Sequence, residues 1–517
     1  MNPSPAANRL DRLLADAARD HPDRPAVTAG GRTLTYAELE RAVTELADAL
    51  TAAGVRPGDR VGIHLPKSIE AVLGIYAVLR SGAVAAPLDM AVPPERAARM
   101  VKNAGITFLV TSVSNTATVQ LVKECADGAP ADLRPLGRHL GVVPVDCPSA
   151  PLDGAAGAGY VLFTSGSTGW PKGVLLSHEN VLHFVRWTVE RFGVTPADRI
   201  GSQSSLTFDL STFDLFGSAL SGACLVLLPD VLKGFPRDVV EWLRTERISV
   251  FYAVPTLYQS MLHKGGATGA ELPGLRIIAF AGEPFPAGDL KRYTELFTGA
   301  EFYNLYGPTE TNVCTFEQVD HCWDPRDGLS IGRAIEGVRV ELVDAAGRVT
   351  RDEGEIAVSG PTVFLGYLIG GELRPLTTRI TPGDGSPAYL TGDLGHYGAD
   401  GKIHLRGRRD HQVKRRGYRI DLFDIESVVR EFPAVHNCAA VWTEPAPGEG
   451  RIALYAVADS MTETRLRQAV AAALPRHMVP DAIHLVDRLA LTGRGKIDRE
   501  ALASAAPTQE RDHGRRQ

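Results

Sequence analysis

Leu39, Val43, Leu46 and Leu50 recur at steps of four, three and four behind Thr35-Tyr36-Ala37-Glu38, whose spacing is that of a capping box. The pattern predicts an amphipathic helix that ends near Gly54. Arg60 to Leu65 reads as a strand, Ile69 to Leu79 as a second helix and Ala83 to Leu88 as a short strand, the alternation of a layered α/β protein. From Arg333 onward the pattern changes to short strands, Val338 to Val343 and Gly354 to Val358, between Gly- and Asp-rich turns, which suggests a small β-rich subdomain. After Asp410 it changes again. A helix with Ile425, Val428, Val429 and Phe432 inward leads to strands around Cys438 to Val441 and Ile452 to Val457, a helix from Glu463 to Leu474 and a last strand at Ile483 to Val486. The expected fold class is α/β, with a large N-terminal domain of several subdomains over 1–409 and a small α+β domain over 410–504. The polar stretch 505–517 is expected to be disordered.

Composition supports this division. A chain of 517 residues exceeds the roughly 250–300 that one core serves, so at least two domains are expected. The apolar share of 44% can build large cores, and no apolar run approaches the ~18 residues of a membrane span. The start, Met1-Asn2-Pro3-Ser4-Pro5, does not read as a signal peptide. Six cysteines lie scattered without a C-x-x-C pair, which suggests neither a disulfide framework nor a zinc site and fits a cytoplasmic location. A net charge of -6 gives no global reason to expect nucleic acid. Lys402 to Arg419 holds eight Lys/Arg against one acid, a run better suited to ATP and an acidic partner.

The first candidate chemistry is Thr164-Ser165-Gly166-Ser167-Thr168-Gly169-Trp170-Pro171-Lys172-Gly173, which follows the apolar run Tyr160 to Phe163. Glycines let backbone N–H groups approach an anion, hydroxyls add donors and a lysine supplies a point charge for polyphosphate. The spacing is not that of a P-loop, which places Lys-Ser/Thr directly after its last glycine. Alone, such a loop is equally a flexible turn.

Further motifs follow in order: Ala281-Gly282-Glu283-Pro284, Tyr303 to Thr311, Tyr389-Leu390-Thr391-Gly392-Asp393, the run Gly407 to Glu426, and Leu491 to Asp498. This ordered set resembles the adenylate-forming superfamily of acyl-CoA synthetases, peptide-synthetase adenylation domains and luciferases, from about Leu34 to Asp498. The resemblance is strongest to the amino-acid-activating branch. It implies attack of a carboxylate on the α-phosphorus of ATP, giving an acyl-adenylate and pyrophosphate, with ATP and Mg²⁺ required.

Roles follow by resemblance. Thr164, Ser165, Gly166, Ser167, Thr168 and Gly169 hold the β and γ phosphates, and Lys172 neutralises them. Thr309 contacts the α-phosphate, and Glu310 associates with Mg²⁺. Asn304, Tyr306 and Gly307, with Gly282, Glu283 and Pro284, surround the adenine. Asp393 accepts the ribose hydroxyls and Arg408 supports them. Lys496 bridges the substrate carboxylate and the α-phosphate, and Asp410 is a hinge about which the C-terminal domain moves. Gly493, Trp170 and His477 depart from the usual family residues.

Ser205 to Phe213 resembles the segment in which amino-acid-activating domains set an Asp, here Asp209, against the substrate amine. Leu210, Phe213, Tyr252, Ala279, Ala281, Leu305, Val313 and Cys314 then line the side-chain cavity. With no charge beyond Asp209 and Lys496, the lining favours an apolar amino acid, because a buried unpaired charge costs several kcal/mol. The set resembles that of L-proline-activating ligases that load a carrier protein. Ala279 replaces a larger aliphatic and leaves methylproline or pipecolate open, since one methylene discriminates by only about 1–3 kcal/mol. No carrier segment follows Lys496 in the sequence, so the phosphopantetheine thiol of a separate peptidyl carrier protein is the expected acceptor. A coenzyme A ligase and a non-catalytic homologue remain as alternatives. The first has no use for Asp209, and the second is expected to lose Lys496 or Glu310.

Overall fold

The computed structural model describes residues 8–125, 132–137, 139–152, 155, 157–164, 171–378, 387–409, 412–444, 450–490 and 497–505. Ser165, Gly166, Ser167, Thr168, Gly169, Asp410 and Lys496 lie outside the described residues, as does 506–517. The rest fall into two compact units, one built from 8–164 and 171–409 and one from 412–505.

The capping box at Thr35 is made. Thr35 Oγ1 accepts from the Glu38 N–H at 3.2 Å, and Glu38 Oε2 accepts from the Thr35 N–H at 2.8 Å. The helix it opens, Tyr36–Ala52, buries Leu39, Val43, Leu46 and Leu50 as the periodicity requires. Thr35→Ala is expected to lower global stability by about 1 kcal/mol, measurable as a drop in Tm, because two N–H donors lose their partners together. Arg60–His64, Ile69–Arg80 and Val84–Pro87 form the predicted strand, helix and strand. Helix Ile69–Arg80 is buried along its whole length up to Leu79, the mark of an element enclosed by core on every side.

Among the described residues of the first unit there are two nine-stranded sheets and one of five strands. One nine-stranded sheet carries, from Arg333–Ala334 at one edge, Thr315–Val319, Glu301–Tyr306, Ile277–Phe280, Val250–Ala253, Arg199–Ser202, Cys224–Leu227, Pro25–Ala29 and Arg32–Thr35. Its central strands run parallel, with Ser202 beside Tyr252, Tyr252 beside Ala279 and Ala279 beside Tyr303. In such a sheet ligands collect at the carboxyl ends of the strands. The segments 203–209, 281–284 and 307–311 follow three of these strands at that end. The second nine-stranded sheet holds Ala158–Thr164 and Lys172–Ser177 as an antiparallel pair, with Thr164 opposite Lys172. The five-stranded sheet, Arg339–Val343 and Gly354–Ser359 among its strands, is the β-rich subdomain that the turn-rich sequence suggested.

The second unit pairs Val435–Thr443 with Arg451–Ala458 and Ala482–Leu485, covered by helices Leu422–Arg430 and Glu463–Ala473, an α+β arrangement. Its core gathers Ile425, Val428, Val429, Leu454, Leu466 and Ile483. His477 stacks on Tyr418 with centroids 3.6 Å apart, so the departure from an aromatic at 477 keeps a planar ring. A last helix, Arg499–Ala505, reaches into the first residue of the stretch expected to lack structure.

Candidate functional site

Asp209 caps the short helix Leu210–Thr212, its Oδ1 accepting from the Leu210 N–H at 2.8 Å. Its Oδ2 accepts from Thr309 Oγ1 at 3.0 Å, so the carboxylate expected at an amine and the hydroxyl expected at a phosphate stand in contact. Asn312 holds the same corner with a positive φ of 50°, which Asn tolerates better than most residues, and donates to Thr212 Oγ1 at 3.3 Å. Gly307 is sterically fixed here, because a Cβ would stand 1.7 Å from the Asn312 carbonyl oxygen.

Beyond Thr212 the helix widens into a π-type turn over Phe213–Gly217, an irregularity frequent at functional sites. Tyr252 and Ala279 share one row of the sheet, and Ala281 and Leu305 lie two residues further along their strands on the same face. Phe213 meets Tyr252 edge-on at 6.3 Å. All eight predicted lining residues are buried and join one apolar cluster, whereas Phe251, Ile278, Phe280 and Phe302 on the opposite face belong to another. The two alanines are the smallest members of that wall.

Tyr306 and Asp393 also come together. The Tyr306 hydroxyl donates to Asp393 Oδ2 at 2.6 Å, and Arg408 Nη1 donates to Asp393 Oδ1 at 2.5 Å. Arg408 Nη2 reaches the Thr391 carbonyl at 3.1 Å. Burial and the Asp393 carboxylate push the Tyr306 hydroxyl well above the usual phenol range, so it stays a donor. Both Asp393 oxygens thus have protein partners, and ribose hydroxyls would share them through the remaining lone pairs. Asn304 stands apart, its amide donating to the Ser330 carbonyl at 2.7 Å. Gly282 has a φ of 93°, and Glu283 Oε1 accepts from the Thr256 N–H at 2.8 Å.

Glu310 is buried, with 2% exposure, and Oε1 accepts from the Tyr367 hydroxyl at 2.8 Å. Lys172 Nζ lies 5.4 Å from the centre of the Tyr367 ring, a cation–π arrangement. Tyr367 therefore joins the residue expected at the metal to the lysine expected at the phosphates. Sequence reading missed it, and a lone Tyr in a strand offers little signal. Lys67 and Asp214 were missed too, and they correct the reading that Asp209 and Lys496 are the charges of this region. Both are buried, and their fields reach the pocket side through Asp214, which bears on Tyr252. The lone acid inside Phe213-Asp214-Leu215-Phe216 was an available signal.

The basic run is largely spoken for. Lys402 pairs with Glu317 at 2.7 Å, Arg408 with Asp393, Arg409 with Glu355 at 2.9 Å, and Arg415 with Asp481. A nucleic-acid face needs these cations at phosphates instead.

The family pattern described as AMP-binding enzyme matches residues 14–368, and that of the AMP-binding enzyme C-terminal domain matches 424–496. The chain belongs to the AMP-binding enzyme family. It is similar to an L-proline--[L-prolyl-carrier protein] ligase of Streptomyces coelicolor, 34% identical over 98% of both chains. Phosphinothricin tripeptide synthetase PhsC of Streptomyces viridochromogenes is 36% identical over 95% of this chain, which spans 45% of PhsC. The crystal structure of IdnL1 superposes with a TM-score of 0.79 at 27% identity, covering 95% of this chain and 99% of that one. Membership makes this chain a ligase of the AMP-forming kind, its large and small domains those of the family. Among the described residues no helix is long and apolar enough to cross a membrane.

Proposed function

We propose that this AMP-binding enzyme activates a small apolar amino acid, L-proline first, as the aminoacyl-adenylate and passes it to the phosphopantetheine thiol of a separate carrier protein. The observation that supports this reading most is Asp209, a carboxylate at the edge of an apolar wall and 3.0 Å from the Thr309 hydroxyl. An acid that carried no amine would leave this carboxylate facing apolar surface. Two relatives named L-proline--[L-prolyl-carrier protein] ligase, at 34% and 33% identity, support proline, while other relatives are multidomain peptide synthetases.

In this reading Asp209 binds the substrate ammonium and the wall from Tyr252 to Leu305 takes the side chain. Thr309 directs the α-phosphate toward the carboxylate held beside it. Lys172 and the glycine-rich loop draw charge onto the leaving pyrophosphate, and Lys496 supplies a cation where two anions converge. The residues fit Mg²⁺ in chemistry. Glu310 and Thr309 are hard oxygen donors, and among the described residues no group of three or more His, Cys, Asp or Glu could hold a metal by itself, so phosphate oxygens would complete the shell. Mg²⁺ bound there would screen the phosphate charge, and Tyr367 would keep Glu310 aimed by its hydroxyl.

Substrate-dependent pyrophosphate release over amino, aryl and fatty acids tests the first half. Proline or a close cyclic analogue is expected to lead the panel, and preferential turnover of salicylate or a fatty acid overturns the reading. Mass spectrometry of a holo carrier protein incubated with enzyme, ATP and proline tests the second half. Efficient acylation of coenzyme A with every carrier left unloaded assigns the chain to the coenzyme A ligases instead.

A further inference from the structure

Lys67 stands between strand Arg60–His64 and helix Ile69–Arg80, and only 3% of its side chain is exposed. Its Nζ donates to three consecutive carbonyls, Ser202 at 3.0 Å, Gln203 at 3.1 Å and Ser204 at 3.3 Å. Those carbonyls end strand Arg199–Ser202 and begin the segment that delivers Asp209. Asp214 lies at the other end of that segment, in the π-type turn, with 1% exposure. Neither of its carboxylate oxygens, nor the Ser202 hydroxyl, has a hydrogen-bond partner among the described residues. The charges around this group are few. Asp230 lies 3.9 Å from Lys67, and Lys233 pairs with Asp230 at 2.5 Å toward solvent. Burial brings the ammonium down to about 7 and the Asp214 carboxyl up to about 7, while each attracts the other and opposes that trend.

A buried lysine is costly, and an apolar side chain of the same length would fill its space, so stability alone does not call for it. What three donors on one flexible stem accomplish is to fix three successive carbonyls in one arrangement. We propose that Lys67, facing Asp214, is a positioning residue for amino-acid recognition, holding the segment 202–214 so that Asp209 meets the substrate amine. The inference rests on the amine-binding reading of Asp209 given above. It assigns Lys67 no contact with substrate and no part in binding ATP.

The test compares proline with tetrahydrofuran-2-carboxylate, in which an ether oxygen replaces the amine, by kcat/KM for pyrophosphate release. Wild type is expected to prefer proline strongly, since a site built to pair with an N–H rejects the analogue lacking it. In Lys67→Met the preference is expected to fall by at least about tenfold while KM for ATP stays within about twofold, a loss confined to amine recognition. Asp214→Asn is expected to lower the same ratio, which carries the test if Lys67→Met does not fold. A merely structural role predicts a lower Tm with the ratio unchanged, and that result in a folded variant overturns the proposal. So does a parallel rise in KM for ATP. Indifference of the wild type to the amine is a different failure, because it removes the reading of Asp209 itself.

Discussion

Asp209→Ala is expected to lose about 2–5 kcal/mol in amino-acid activation, read as kcat/KM for proline-dependent pyrophosphate release at saturating ATP. At about 1.4 kcal/mol per factor of ten, this is roughly thirtyfold to several-thousandfold. The size follows from where the carboxylate sits. It is half-buried, one oxygen is taken by the Leu210 N–H and the other by Thr309, and the wall beside it is apolar from Tyr252 to Leu305. A substrate ammonium brought there without Asp209 would leave water and find no compensating anion. Alanine also removes a helix cap, which alone costs about 0.5–2 kcal/mol of stability. Asp209→Asn separates the two effects, because the amide oxygen can still cap while the charge is gone. Activity in the Asn variant is expected to fall nearly as far as in the Ala variant while Tm stays near that of wild type. Wild-type kinetics in Asp209→Asn would mean that the amine is bound elsewhere.

What was legible in the sequence was whatever short range decides. The Thr35 capping box and the four leucine and valine positions behind it set helix Tyr36–Ala52, and the lysine-and-hydroxyl loop following an apolar strand was readable before any partner was known. The site residues were legible as an ordered set, since Asp209, Thr309, Tyr306, Asp393 and Arg408 each sit in a motif that single residues would not betray. Long-range pairing was not legible. Nothing in Gly366-Tyr367-Leu368 announces that a hydroxyl will reach Glu310, 57 positions away, with Lys172 over the ring. Lys67 and the carbonyls it binds lie more than a hundred residues apart, in different sheets. The π-type turn at Phe213–Gly217 escapes for another reason. Its residues are those of an ordinary apolar helix, and the extra residue per turn is imposed by what packs around Asp209 and Asp214 rather than by local preference.

Lys496→Ala is expected to slow pyrophosphate release by about 10²–10³-fold, the usual cost of removing one well-placed charge from a transition state. Before the bond forms, the substrate carboxylate and the α-phosphate repel each other, and a cation between them gains most at the point of closest approach. Lys496 is therefore expected to act on the chemical step more than on substrate binding, so kcat should fall with little change in KM for either substrate. In the second half-reaction a thiol displaces AMP from a carbonyl, and no second anion has to be brought to the phosphate. Transfer from preformed aminoacyl-adenylate to the carrier should then survive in Lys496→Ala nearly intact. Asp410→Pro should do the reverse if it fixes the adenylating arrangement, because proline locks φ at the position where the family resemblance sets the hinge. Four rates decide the matter, two half-reactions in two variants. Equal loss of both steps in folded Lys496→Ala would show that one lysine serves adenylation and transfer alike, and that the division of labour between the half-reactions lies elsewhere in the chain.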